Sequence, residues 1–394
     1  MQNRKDQAII ALGLNVIQGA GTIKLFKRKR QMLNNIAEPL TLAAFTEEEK
    51  ELLRTDLSYK KHISKLFKKA RAESKRETCY YCGKPVSSFC NSHSIPKFCL
   101  KNIAVKGKVL TLNSILDNPL MDTQKGVKEA GTFHLICNDC DSKIFSDYEN
   151  PENYKKEPTP KMIAQMALKN SLKSISKRLL EMELFNITGK KSFEAKMFAE
   201  MKNGVNELDL KEYEENFEKA KRALKKDDES AYYVCYYKKL NYVVPIAFQC
   251  SLALVFDLEG KIINDVYNHD KDYKIRNINI CILPMETESV IIMFIENGEK
   301  RYRNFYKQFN RLPLDEQLAT LTFIMFAYSE DMYFSESIKE EILNNEVLCN
   351  AGKTSQDIFA TMPFFDALEV IKSPYDLNKR HEIPNLLSEK YKVF

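Results

Sequence analysis

Four of the ten cysteines stand in two C-x-x-C pairs. Cys79 and Cys82 form the first pair, Cys137 and Cys140 form the second, and 54 residues separate the two. Each pair can chelate a metal with two sulfurs from one tight turn, and four thiolates together make the tetrahedral set of a structural zinc site. Gly83 permits the backbone conformation that the first turn needs. The sequence therefore predicts one zinc ion per chain.

Other roles of these pairs fit the sequence less well. A redox pair is disfavoured because neither C-x-x-C follows a parallel-strand pattern. Disulfides are disfavoured because the start of the chain, although weakly apolar, is interrupted by Asn15 and Gln18 and has no obvious cleavage site. We therefore expect a reduced, cytoplasmic protein. The remaining cysteines lie among apolar residues and are expected to fill the core: Cys90, Cys99, Cys235, Cys250, Cys281 and Cys349.

A basic segment precedes the first pair. Residues 1–76 contain 17 Lys or Arg and 8 Asp or Glu, whereas the whole chain has a net charge of +6, so the basic excess lies entirely in this segment. A capping box at Thr46 and apolar residues at helical spacing predict a helix over 46–75 that leads into Cys79. Such a face attracts polyanions, nucleic acid above all. A solvated helix surface is the alternative explanation.

The rest of the chain divides by its periodicity. We predict a basic helical segment over 1–76, a small irregular zinc-knuckle module over 77–155, a helical connector over 156–228 and an α+β domain over 229–394. The connector is expected to begin with a helix over 160–184, followed by shorter charged helices. The last segment is expected to form an antiparallel sheet with strands at 231–237, 243–256, 261–267, 277–283 and 289–295, and helices at 314–328 and 335–345.

The stretch between the two pairs carries a single histidine in an unusual context, Asn91-Ser92-His93-Ser94-Ile95-Pro96-Lys97-Phe98. Together with the two C-x-x-C pairs it resembles the zinc-knuckle branch of the HNH endonucleases, which have the ββα-metal fold. It is still closer to a bacterial group with a Ser-His-x-Ile-Pro motif. The later elements of that group correspond to residues 135–141 and to Tyr148-Glu149. The resemblance covers residues 79 to about 150.

The resemblance implies a zinc-stabilised ββα-metal (HNH-like) module over this stretch. Together with the elements predicted from periodicity, the expected fold class is α+β, with this module embedded in helices and a C-terminal antiparallel sheet with helices. The resemblance also implies metal-dependent hydrolysis of phosphodiester bonds. His93 would be the general base, and Asp141 would help to hold one Mg²⁺ or Mn²⁺ at the scissile phosphate. Glu149 would supply a further carboxylate if a helix beginning near Asp141 turned it inward. The zinc would only position these groups.

Some residues depart from this pattern or have another explanation. Many HNH enzymes have Asp or Glu directly before the His, where this chain has Ser92. His93 could instead be a structural histidine, and Asp141 could be a helix N-cap. His134 could replace a cysteine as zinc ligand, although four cysteines already complete a tetrahedron.

These observations leave two further classes of function beside a nuclease. The first is a catalytically inactive, zinc-ordered nucleic-acid-binding or regulatory protein, and the second is an interaction scaffold. For the nuclease we expect DNA or RNA as the substrate, DNA being preferred, with anti-phage defence as a setting by analogy. A protein partner or homo-oligomer could form through the C-terminal domain. No apolar stretch approaches the roughly 20 residues of a bilayer crossing, so no membrane partner is expected.

Overall fold

The structure of the chain is a computed structural model that describes residues 57–112, 124–190, 193–268, 270, 272–354 and 371–393. Most of the predicted basic segment, including the capping box at Thr46, lies outside these residues. The described part of the predicted helix over 46–75 is a helix, α1, at Leu57–Glu73.

The described elements follow in a mixed order. The further α-helices are α2 (Lys97–Ile103), α3 (Asn138–Ile144), α4 (Pro160–Thr188), α5 (Phe193–Lys226), α6 (Arg303–Phe309), α7 (Leu314–Tyr328), α8 (Lys339–Leu343) and α9 (Glu346–Thr354). The strands are β1 (Ser92–His93), β2 (Lys108–Thr111), β3 (Gln124–Gly126), β4 (Thr132–Phe133), β5 (Tyr232–Leu240), β6 (Ile246–Leu252), β7 (Ile278–Pro284), β8 (Ser289–Glu296) and β9 (Met332–Phe334). Short 3-10 helices lie at Pro151–Lys155, Glu336–Ile338, Leu377–His381 and Glu389–Tyr391.

A seven-stranded antiparallel sheet forms the centre of the fold, in the order β3-β2-β9-β6-β7-β8-β5. The predicted antiparallel sheet and its helices are thereby confirmed. Strands β2 and β3 come from the stretch between the two cysteine pairs, and β2 pairs with β9 at Leu110 and Phe334. The predicted zinc-knuckle segment and the predicted C-terminal segment therefore share one sheet.

Helices cover both faces of this sheet. Side chains alternate between the two faces of each strand, so neighbouring residues of one strand lie in different cores. In β7, Ile280 and Ile282 lie in the core beneath α6 and α7. Cys281 and Leu283 lie in a second core, which also contains α4 and the residues around the cysteine pairs. All seven residues of β7 are buried, as expected for a strand covered on both sides.

Two sequence predictions in this region were wrong. Residues 261–267 do not form a strand of the sheet; they make an isolated bridge between Phe256 and Ile262. The side-chain amide of Asn264 donates to the carbonyls of Leu254 and Arg276. A side chain thus bonds to these carbonyls in place of the backbone N–H groups of a paired strand. The predicted short charged helices are one long helix, α5, because no proline interrupts its residues and its face with Phe217 and Ala220 packs in the core.

Helix α4 is the scaffold on which the candidate site is built. Its N-cap is Thr159, whose hydroxyl accepts a hydrogen bond from the backbone of Met162, and Pro160 occupies its first turn. Its first half is buried against both the sheet and the cysteine-containing segment, and the buried side chains include the polar residues Gln165 and Lys169. Within the described ranges, no helix combines the length and apolarity that crossing a bilayer requires.

Candidate functional site

The four predicted zinc ligands come together. The sulfurs of Cys79, Cys82, Cys137 and Cys140 all lie within 4.8 Å of one another. The first turn is closed by a hydrogen bond of 2.8 Å from the Gly83 backbone to the Cys79 carbonyl, and Gly83 has φ +72°, a conformation that favours glycine. Four sulfurs in this arrangement could hold one zinc ion.

The backbone around the cluster also suits a thiolate. Burial favours the neutral thiol of Cys79, but backbone N–H groups of Cys82, Cys137 and Tyr81 donate to its sulfur and lower its pKa to about 7. The contact from the Cys137 backbone nitrogen to this sulfur is 3.4 Å. Because metal ligation requires the deprotonated form, these donors prepare the sulfur for a cation.

The residues of the motif around His93 lie next to the second cysteine pair. Strand β1 pairs with β4, with Ser92 opposite Phe133 and His93 opposite Thr132. Helix α3 follows β4 directly after Cys137, which is its N-cap residue. This places Asp141, in the first turn of α3, beside β1. Asp141 is therefore not the N-cap that the sequence offered as an alternative to a metal-binding role.

Asp141 and Glu149 converge on one buried lysine. The ammonium of Lys169, on α4, lies 3.1 Å from Oδ1 of Asp141 and 3.0 Å from Oε1 of Glu149. It also donates to the hydroxyl of Ser92 at 2.9 Å, and that hydroxyl donates to Oδ1 of Asp141 at 2.6 Å. The Lys169 side chain is fully buried, and its ammonium lies 3.6 Å from the centre of the Phe145 ring.

From the sequence we expected Glu149 to reach the site from the second turn of a helix that begins near Asp141. Helix α3 instead ends at Ile144, and Glu149 lies in the turn that follows. The neighbouring Tyr148 fixes this turn, because its backbone nitrogen donates to Gln165 and its hydroxyl donates to Gln249 on β6. Glu149 is thus brought to Asp141 by packing against the sheet and α4. Burial raises the pKa of Glu149, whereas Lys169 opposes this rise.

His93 is half-buried and held in one orientation. Its Nε2 lies 3.0 Å from the carbonyl oxygen of Val127, which can only accept, so the proton is on Nε2. This leaves Nδ1 as the basic nitrogen. Burial lowers the pKa of His93, as do the charges of Lys97 and Lys169, while the Val127 carbonyl and Asp141 raise it. The net lowering keeps the imidazole neutral near pH 7.

The predicted catalytic residues do not form a complete metal-binding group. Among the residues that the structure describes, the four cysteines are the one set of three or more His, Cys, Asp or Glu with ligand atoms within 4.8 Å of one another. Asp141 and Glu149 share Lys169, and His93 bonds to Val127. The carboxylates are held together by an ammonium group.

The N-terminal basic helix approaches the site from the side of His134. Burial and the positive charges of Arg71 and Lys75 lower the pKa of His134. His134 in turn hydrogen-bonds to Asn91, which directly precedes Ser92. His134 therefore has a partner outside the four-cysteine group. Arg71 and Lys75 are exposed, and together with His134 and Asn91 they form what we call the basic edge.

Sequence reasoning missed Lys169 and gave no role to Lys97. Lys169 follows Met166 by three residues and precedes Leu172 by three, so it occupies a position where the helical pattern expects an apolar side chain. That anomaly was the available signal. Lys97 stands in the motif itself, and the structure shows it exposed and close enough to His93 to lower the pKa of the imidazole.

Comparisons with protein-family models, with curated proteins and with solved structures find no match.

Proposed function

We propose that this protein is a zinc-binding nuclease that hydrolyses phosphodiester bonds with His93 as the general base, and that it belongs with the HNH endonucleases that its motif resembles. The observation that carries the proposal is the fixed orientation of His93. Its Nε2–H is bound to the Val127 carbonyl, so Nδ1 is available as a base on a half-buried ring beside Asp141.

The chemistry of His93 follows from this arrangement. A neutral imidazole can take a proton at Nδ1 from a water molecule, which then attacks the phosphorus atom. The Val127 carbonyl and the negative charge of Asp141 favour the imidazolium formed in this step, whereas burial and the charges of Lys97 and Lys169 lower the pKa of His93 and favour return of the proton. Lys97, exposed near the same ring, offers a positive charge for the phosphate oxygens.

Zinc has a structural part in this proposal. Bound by Cys79, Cys82, Cys137 and Cys140, it would fasten the start of the motif to the start of α3. It would cross-link two turns that are far apart in the sequence, and it would take no part in the hydrolysis. Because β1 lies between these turns in the sequence and α3 begins at the second of them, the relative position of β1 and α3, and with it that of His93 and Asp141, depends on this link.

A catalytic Mg²⁺ or Mn²⁺ does not fit the described site as the resemblance implies. His93, Asp141 and Glu149 do not form a ligand group, and the ammonium of Lys169 lies between the two carboxylates. We therefore derive no step through such an ion.

The basic edge supports nucleic acid as the substrate, with DNA as the first choice. Arg71 and Lys75 flank the surface that leads through His134 and Asn91 to the motif. Arginine and lysine side chains that neutralise phosphates provide affinity without sequence selection. Cytoplasmic defence against foreign DNA, such as that of phage, is the setting we propose for this activity. A protein partner or a homo-oligomer would form through the predicted C-terminal domain.

Removing the imidazole tests the proposal. We expect the zinc-loaded protein to cut supercoiled plasmid, and His93→Ala to lower the rate by about 100-fold or more, the usual contribution of a general base. Cleavage is followed on gels without added divalent ions, and then with Mg²⁺ or Mn²⁺. His381→Ala is the matched control, because His381 is exposed at the end of the 3-10 helix Leu377–His381. Cleavage at the parent rate by His93→Ala would remove His93 from this role.

A second candidate function is a zinc-ordered nucleic-acid-binding protein without catalysis. It is favoured by Lys169, which holds both carboxylates where an enzyme of the resembled family has a metal. Salt-sensitive binding of DNA or RNA, with no cleavage under any of these ionic conditions, would select this function over the nuclease.

Both candidate functions predict that the basic edge binds phosphates. Reversing Arg71 and Lys75 to Glu should weaken DNA binding at least tenfold and reduce the slope of log affinity against log salt by about 2, since each contact contributes about 0.9. Fluorescence anisotropy at several salt concentrations measures both quantities. Reversal of Lys390 and Lys392, exposed in the C-terminal tail, is the control with equal charge change. Equal losses in both variants would show that overall charge, and not this edge, controls binding.

A further inference from the structure

The buried ammonium of Lys169 is the centre of an unusual polar cluster. Three oxygens surround it at 2.9 to 3.1 Å, from Ser92, Asp141 and Glu149, and the Phe145 ring covers another side. Ser92 and Lys169 are both fully buried. A charged lysine is almost never buried to this degree unless its charge is matched, and here two carboxylates match it.

A serine–lysine nucleophile is not consistent with these contacts. The Lys169 ammonium donates to the Ser92 hydroxyl, and the Ser92 hydroxyl donates to Asp141. The Lys169 nitrogen donates to three oxygens, which uses all three N–H bonds of an ammonium group, so it does not take the serine proton. With no exposed surface, the Ser92 oxygen also has no route to a substrate. The cluster positions groups and does not itself react.

The two carboxylates need a cation in order to lie together. Asp141 and Glu149 carry like charges; burial raises the pKa of Glu149, and the charge of Asp141 adds to this rise. In many hydrolases a divalent ion supplies the compensating charge. Here the compensating charge is a side chain of α4, fixed by the fold.

We propose that Lys169 is a resident cation: a positioning residue whose ammonium occupies the place between Asp141 and Glu149 that a divalent ion would otherwise take. The inference deepens the proposed nuclease site, but it concerns charge within the cluster and does not require cleavage. It implies that the wild-type pair binds divalent ions weakly, and that removing the ammonium uncovers a binding site for them.

Binding of Mn²⁺ alone tests the inference. Zinc-loaded protein is titrated with Mn²⁺, and free Mn²⁺ is measured by its electron paramagnetic resonance signal; thiolate clusters prefer zinc, so the cysteines do not interfere. Lys169→Met is expected to bind one Mn²⁺ at least tenfold more tightly than the wild type, because repulsion by the ammonium is lost. Adding Glu149→Gln to this variant should abolish the gain.

Lys161→Met is the matched control. Lys161 lies on the same helix and pairs with Asp147 at 2.9 Å, but both members of this pair are substantially exposed. Its loss should leave Mn²⁺ binding unchanged. A wild-type protein that binds Mn²⁺ as tightly as Lys169→Met, or a folded Lys169→Met that gains no site, would overturn the inference.

If Lys169→Met does not fold, the wild-type protein provides the test. Lysine labelled with ¹⁵N shows its ammonium groups by NMR, and Lys169→Arg assigns the signal. Substoichiometric Mn²⁺ should leave the Lys169 signal sharp; selective broadening of it would refute the inference. The outcome does not depend on cleavage. If Lys169→Met binds Mn²⁺ more tightly than the wild type and His93→Ala still cuts plasmid, the resident cation is upheld and the proposed base is rejected.

Discussion

Replacing Cys137 with Ser is expected to remove the zinc ion and destabilise the whole described fold. Structural zinc in small domains contributes about 10 to 16 kcal/mol of apparent binding free energy at neutral pH, and a serine cannot replace the thiolate. Elemental analysis should find one zinc per chain in the parent and close to none in Cys137→Ser. The melting temperature should fall by about 5 °C or more, measured by calorimetry.

The large effect is expected because the cysteine cluster is not a separate appendage. Cys79 and Ile136 share a core with α4 and with Cys281 and Leu283 of β7. Loosening the two turns therefore exposes this face of the central sheet. Cys349→Ser is the control: Cys349 is half-buried and lies outside the cluster, so zinc content should not change. Retention of one zinc by Cys137→Ser would show that the four sulfurs are not the ligands.

Replacing Lys169 with Met should destabilise the protein by about 2 kcal/mol or more. Removing one partner of a buried ion pair costs about 3 to 5 kcal/mol, and the partial exposure of Asp141 and Glu149 reduces this loss. Methionine keeps most of the side-chain volume, so the effect reports on charge and not on a cavity. Urea unfolding of the zinc-loaded protein measures the free energy of unfolding.

A second substitution distinguishes charge from packing. Lys169→Met combined with Asp141→Asn should recover part of the lost free energy, because the remaining Glu149 no longer faces a like charge. Lys161→Met on the same helix should cost less than about 1 kcal/mol, the usual value for an exposed ion pair. A Lys169→Met variant as stable as Lys161→Met would mean that the buried ammonium is not needed to hold the carboxylates.

The cysteine cluster and most of the secondary structure were predictable from the sequence. Each C-x-x-C pair is a local turn, so its chelating geometry is set by four consecutive residues. Strand and helix periodicity correctly placed the main strands, and the predicted helix over 314–328 coincides with α7. The prediction failed at 261–267, where the side chain of Asn264 bonds to the backbone of Leu254 and Arg276, ten and twelve residues away.

The tertiary structure alone decided how charge is arranged at the candidate site. Lys169 meets Ser92, Asp141 and Glu149 across separations of 77, 28 and 20 residues. It likewise decided that β2 and β3, between the cysteine pairs, extend the central sheet. Local patterns depend on neighbours within a few residues, whereas the burial of a charge depends on which elements pack around it. Residue types and spacing therefore predicted a zinc cluster beside a histidine, and only packing showed that a lysine joins the two carboxylates.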